Sequence, residues 1–194
     1  EIMPSLVGSE MCIRDRDFMN YMKAASGNGR YGYGGSWEKT YVSNELAQFV
    51  NMFGGDYFDW TNPANKEAVQ FMHDLVAEGY TPIDQIADKY EQMNPKANDG
   101  KYGSLFMWGL GTDYAKADML GEDKIHMAMV PDFSGTGERA IFTDSWNYVL
   151  NSASKNKEAA VKFLQYMASE EGVKASYEAF DRYPARKDLS LIHI

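Results

Sequence analysis

An α/β layer architecture is predicted for this 194-residue chain. Short apolar segments bounded by glycine or proline alternate with longer stretches in which apolar residues recur at helical spacing. The helical stretches carry start and stop residues at their ends. No internal repeat or low-complexity linker interrupts the alternation.

"DFMNYMKAAS" sets Phe18, Met19, Tyr21 and Met22 on about one helical side and runs into Gly27-Asn28-Gly29, which predicts the end of an amphipathic helix. "YGYGGSW" predicts a short strand and a turn. In "SNELAQFVNMFGG", Ser43 is the expected N-cap, Leu46, Phe49, Val50 and Phe53 the buried stripe, and Gly54 the left-handed stop. "TNPANKEAVQFMHDLVAEGY" gives the clearest local pattern. Asn62 caps, Pro63 takes the first helical position, Ala68, Phe71, Met72, Leu75 and Val76 form one stripe, and Gly79 ends it.

"DGKYGSLFMWGLG" turns at Asp99-Gly100 and continues as an apolar run, 102–108, too short for a helix and therefore expected as a buried strand. A second strand is expected over 125–130, closed by Pro131, and a third, longer one in "AIFTDSWNYVLNSAS". "SKNKEAAVKFLQYMAS" then predicts a helix capped by Ser154 that turns Ala160, Phe163, Leu164 and Met167 inward. Ser169 is placed to cap a last helix, from residue 170 to about 180.

The two ends fit none of these patterns, and the genetic code accounts for them. Met11 to Asp15 can be written ATG TGT ATA AGA GAC, with AG opening the codon of Arg16. The reverse complement, CTG TCT CTT ATA CAC AT, encodes Leu189, Ser190, Leu191, Ile192 and His193 and opens Ile194. Inverted copies of one short DNA resemble translated sequencing-library adapters, and Leu6 to Glu10 reads as their continuation. Residues 1–16 and 189–194 are therefore expected to be adapter-derived artefacts and are set aside from fold reasoning. On that expectation the chain is an interior piece of a longer protein.

Without those ends, 17 Lys and Arg face 25 Asp and Glu, a net charge of −8. The lone cysteine, Cys12, drops out, so nothing supports a thiol nucleophile, a disulfide or a cysteine metal site. An acidic chain without clustered Lys and Arg does not suit a nucleic-acid partner. No apolar run approaches the ~20 residues needed to span a bilayer. The aromatic supply and mixed charge fit a globular domain of ordinary size.

Enzyme motifs are sparse. "SASK", residues 152–155, fits the S-x-x-K pattern, but neither S-D-N nor K-T-G follows it, and its serines suit a strand end and a helix cap. "GLGTDY" lacks the third glycine of a dinucleotide fingerprint, and no phosphate-binding G-x-x-x-x-G-K-[ST] occurs. His73 and His126 have no metal-ligand partner at i+4 spacing, so neither a metal nor a cofactor is expected. Carboxylates abound, yet nothing nominates the facing pair a glycosidase needs. Trp37, Trp108 and Trp146 sit beside glycine or small polar residues instead of inside a stripe. Flat rings there could stack on the C–H faces of a sugar while nearby Asn and Asp take its hydroxyls; packing at the core is the alternative.

The ordered run "NPANKEAVQFMHDLVAEG", "NDGKYGSLFMWG", "DKIHMAMVPDFSGTG", "TDSWNYVLNSASKNKEAAVKFLQYMASEEG" and "YPARKDL" resembles the later part of bacterial extracellular solute-binding proteins of the sugar-binding family that serves ABC importers. The resemblance implies a periplasmic-binding-protein-like type II fold, here incomplete, with ligand held by closure of two lobes. Residues 17–142 would form most of the second lobe, and 143–188 the crossing strand and helices of the first. It implies a non-enzymatic protein that presents a carbohydrate to membrane permease subunits. Its location would be extracellular or periplasmic, with a lipid anchor in the full-length protein. The family's contact positions fall on Trp37, Trp108 and Trp146 as platforms and on Asn44, Asp113 and Asp144 as hydrogen-bond partners. Two alternatives stand beside it, a carbohydrate-active hydrolase and a sensing or adhesion module on the same fold. The helix after Ser154 would also have an apolar face made for a sheet that the chain does not supply.

Overall fold

The computed structural model of the chain describes residues 15–106, 128–138, 141, 147–180 and 188. They fall into two units, taken separately below: one contains 15–106, 128–138 and 141, the other 147–180 and 188.

In the first unit the order is α1 (Asp15–Ala25), β1 (Tyr31–Gly34), α2 (Val42–Met52), α3 (Pro63–Ala77), a 3-10 turn (Ile83–Ala87), α4 (Tyr90–Asn98) and β2 (Tyr102–Leu105). The strands pair in parallel, Tyr31 opposite Tyr102, Tyr33 opposite Ser104 and Gly34 opposite Leu105. Parallel neighbours need a long crossover, and α2 to α4 provide it. The other edge of β1 is lined by the segment after α3. Tyr33 N–H donates to Tyr80 O (3.0 Å), and Thr81 Oγ1 donates to Tyr33 O (3.1 Å). Further along, Trp37 N–H and Glu38 N–H reach Gln85 O and Asp88 O.

Glycine decides how closely α1 can lie on this sheet. A Cβ at Gly32 would strike the backbone of Met22, and one at Gly103 would meet the Ala25 methyl group. With both side chains reduced to hydrogen, the helix sits directly on the two strands. Tyr21 ties helix to sheet, its Oη donating to Gly103 O (3.3 Å), and Ser104 ties the two strands, its Oγ donating to Gly32 O (3.0 Å).

Beyond the sheet, α2 and α3 pack on each other and enclose an aromatic core. Phe49 is wholly buried, and its ring lies 5.7 Å from Tyr33, 5.4 Å from Phe71 and 5.3 Å from Phe106. Phe133 joins from residues 131–137, whose backbone is fastened by Phe133 N–H and Ser134 N–H, both donating to Met52 O. The buried Asp132 carboxylate shapes that segment by accepting from the N–H groups of Ser134, Gly135 and Gly137 and from the Ser134 hydroxyl. Burial works against its charge, but those donors outweigh it and hold the carboxyl below its ordinary range.

The sequence signals of α3 are realised, with Val76 of the expected stripe only half-buried. Asn62 Oδ1 accepts from Ala64 N–H (3.0 Å), Pro63 opens the helix, and Ala68, Phe71, Met72 and Leu75 are buried. Asn62→Ala is expected to cost the fold about 1 kcal/mol in urea unfolding; an unchanged midpoint would show that the cap does not stabilise the helix. Two other expected caps are corrected. α2 starts at Val42 with Tyr41 in the cap position, so Ser43 lies inside its first turn. In the second unit, α5 (Lys157–Ala168) starts after Asn156, and Ser154 Oγ only accepts from Asn156 N–H (3.2 Å). Ser169 does cap α6 (Glu170–Phe180), accepting from Gly172 N–H at 3.2 Å.

The expected strands over 125–130 and after 141 are not seen where residues are described. Residues 128–130 and 147–150 lie outside any strand, and the latter are exposed to solvent instead of shared with a sheet. Nor is any side chain of α5 buried: Phe163 is 57% and Tyr166 43% exposed. Ala160, Leu164 and Met167 are half-buried and Phe163 is exposed, so the inward placement expected for these four is realised only in part.

Candidate functional site

Neighbouring residues in the first turn of α2 face opposite ways. Glu45 points inward and is 5% exposed. Its Oε2 accepts from the Tyr33 hydroxyl (2.5 Å) and Trp37 Nε1 (2.8 Å), and its Oε1 accepts from Ser36 N–H (2.9 Å). A carboxylate in an apolar core is tolerable only when its lone pairs are filled, and three donors fill them here. Burial nevertheless raises the Glu45 pKa against the pull of those donors, and burial beside Glu45 pushes the Tyr33 phenol well above its ordinary value. The wrap is close: a Cβ on Gly35 would collide with the Glu45 carboxylate. Gly35 N–H donates instead to the buried Gln85 side chain at 2.8 Å.

Asn44, one residue earlier, is half-buried and faces a pocket of about 510 Å3. Ser43, Asn44, Ala47 and Asn51 line it from α2, and Asp56, Tyr57 and Phe58 from the loop that follows; Ile141 completes the wall. That loop is pinned from below. Asn65, wholly buried in the first turn of α3, donates through Nδ2 to Asp56 O (2.7 Å) and Asp59 O (3.1 Å). Asp56 accepts from Phe58 N–H (2.9 Å), and Asp59 accepts from Thr61 N–H (3.0 Å) and Thr61 Oγ1 (2.6 Å). The Thr61 hydroxyl and N–H hold the Asp59 carboxyl below its ordinary range. Amides, a hydroxyl and a carboxylate thus stand beside two aromatic rings, a set suited to hold a polar solute by its hydroxyls and its C–H faces.

The residues singled out in the sequence meet different fates. Asn44 lies in the pocket wall. Trp37 does not: it is 7% exposed, its ring packs 6.2 Å from Tyr33, and its N–H is used by Glu45. Its place is the core-packing alternative, because the buried carboxylate needs its third donor there. Trp108, Asp113, Asp144 and Trp146 lie outside the described residues. Asn51, Asp56, Tyr57 and Phe58 were missed. The signal available was "DYFDW", aromatics interleaved with acids where no helical stripe explains them.

Residues 14–174, more than four-fifths of the chain, match the family described as bacterial extracellular solute-binding protein. The chain belongs to that family. A search of curated proteins found no match. The role of this solute-binding protein is therefore to hold a solute outside the cytoplasm, in an extracellular or periplasmic setting, and the family is generally non-enzymatic. Among the described residues no helix is long and apolar enough to cross a membrane, and no group of three or more His, Cys, Asp or Glu is placed to hold a metal ion. The matched span takes in α2 and its following loop, so the pocket at Asn44 lies within the family region.

Proposed function

We propose that this solute-binding protein captures a carbohydrate and presents it to the permease of an ABC importer, holding it by closure of two lobes. Residues 17–142 contribute most of one lobe, and 143–188 the crossing strand and helices of the other. The exposure of Phe163 and Tyr166 on α5 supports the two-lobed reading, since exposed apolar surface of this kind commonly marks a face that a further layer covers. The carbohydrate reading is carried by the pocket at the start of α2, where Ser43, Asn44, Asn51 and Asp56 stand beside Tyr57 and Phe58. Sugars combine an apolar C–H face with a ring of hydroxyls, and this wall offers a partner to each. Asn44 supplies both a donor and an acceptor; Trp108, Asp113, Asp144 and Trp146 complete the ligand set.

The test is a thermal-shift and calorimetric screen of the two-lobed protein against mono- and oligosaccharides, since a ligand that binds only the native state raises its melting point. A saccharide is expected to bind, and Asn44→Ala to weaken it about tenfold or more by removing a paired hydrogen-bonding group. A shift with peptides or polyamines and none with any saccharide would sink the carbohydrate assignment while leaving the family intact.

A further inference from the structure

We infer that the loop between α2 and α3 carries a second sugar subsite, so that the ligand is a saccharide of two or more rings. The inference rests on the carbohydrate reading of the adjoining pocket and adds to it the ring of Trp60, with Phe58 shared between pocket and subsite. Phe58 is 91% and Trp60 54% exposed. Both lean on Tyr57, Phe58 at 5.6 Å with an interplanar angle of 88° and Trp60 at 5.9 Å and 69°. One half-buried ring therefore braces two others that remain largely in solvent.

Exposed rings forgo burial, and a loop free to rearrange would fold them down. This loop is held. Asn65 grips the carbonyls of Asp56 and Asp59 from the core, while the two aspartates close turns onto Phe58 N–H and Thr61 N–H. The backbone is tied at Asp56 and Asp59, on either side of Phe58 and just before Trp60, and both rings are left outside. Such a fixed aromatic strip is preorganised for stacking, because little side-chain or loop freedom remains to be lost on binding.

The strip also continues a site, since Tyr57 and Phe58 are walls of the Asn44 pocket and Trp60 lies two residues beyond Phe58. Its size and chemistry favour a saccharide over a protein partner. A stable protein interface buries roughly 800 Å2 per side and draws on many residues. Here two rings alternate with the carboxylates Asp56 and Asp59, which keep lone pairs for hydroxyl donors. A sugar unit lying beyond the pocket would set its C–H face on Trp60 or Phe58 and its hydroxyls toward those acceptors.

The experiment is calorimetric titration of the full-length protein, with Trp60→Ala and Phe58→Ala variants, using the mono-, di- and trisaccharide of whichever sugar binds. Wild-type affinity is expected to rise with length. In Trp60→Ala the trisaccharide is expected to bind roughly three- to tenfold more weakly, with a smaller loss for the monosaccharide. Circular dichroism should show both variants folded, since neither ring belongs to the core. An unchanged length dependence in both variants overturns the subsite. So does intact saccharide affinity with loss only of permease-stimulated transport, which would make the strip a protein contact. If Asn44→Ala abolishes binding while Trp60→Ala keeps the full length dependence, the subsite alone fails. If no saccharide of any length binds wild type, the carbohydrate reading fails with it.

Discussion

Replacing Glu45 by alanine is expected to destabilise the unit that holds α2 by about 3–5 kcal/mol, because three buried donors then lose their acceptor at once. The Tyr33 hydroxyl, Ser36 N–H and Trp37 Nε1 all end on this one carboxylate. Bulk water does not satisfy them in the native protein, since Tyr33 is 1%, Ser36 0% and Trp37 7% exposed. Glu45→Gln keeps an acceptor and the shape, so it should cost clearly less. The measurement is urea unfolding followed by tryptophan fluorescence and circular dichroism; a loss below about 1 kcal/mol for alanine would show that the network contributes little.

The same carboxyl gives stability a direction in pH. Its folded pKa is raised above the ordinary glutamate value, so the native state binds its proton more tightly than the unfolded chain does. This contribution is fully present below the ordinary value and is lost as pH rises through the folded one. Glu45→Gln should remove that slope from a plot of unfolding free energy against pH. A slope identical in wild type and variant would place its source elsewhere.

Phe49→Ala is expected to cost about 3–5 kcal/mol, by lost transfer energy and by the cavity left behind. The ring is the meeting point of the first unit, touching Tyr33 from β1, Phe71 from α3 and Phe106 beyond β2. These neighbours are held by separate elements and cannot all collapse into the gap. Phe49→Leu should cost far less, since most of the volume remains. Denaturant midpoints of the two variants test this, and equal losses would contradict the packing argument. Domains of this kind hold only about 5–15 kcal/mol in total, so the alanine variant should populate unfolded chains near 37 °C.

Local signals were legible where one residue decides one conformation. Asn62 and Pro63 start α3, Gly54 and Gly79 end α2 and α3 at positive φ, and Ser169 starts α6. What the sequence did not show depends on partners distant in the chain. α4 contains Pro95, which argues against a helix when read locally. It forms because Met93 and Ala97 are buried and because Lys96 bridges Asp88 (2.5 Å) and Asp84 (3.0 Å). Burial disfavours the charge on Lys96, yet those two hydrogen bonds carry its pKa above the usual lysine value. Trp37 read as a possible platform because its glycine and serine neighbours suggest a surface loop; the acid that draws it inward is eight residues away. Glu45 was not singled out, since an acid in a first turn is ordinarily a solvated partner of the helix dipole. Its spacing from Phe49 and Met52, four and seven residues on, already placed it on the buried face of α2.

The alternation at the start of α2 has a mechanical side. Asn44 opens to solvent from a turn whose next residue is fastened to β1 through Tyr33 and to residues 36 and 37 beyond it. A load applied to the Asn44 side chain is therefore passed within one residue to the sheet and not absorbed by a yielding loop. A solute pressed against Asn44 would meet a stiff anvil, and the force of the contact would go into gripping the solute instead of into deforming the wall that meets it.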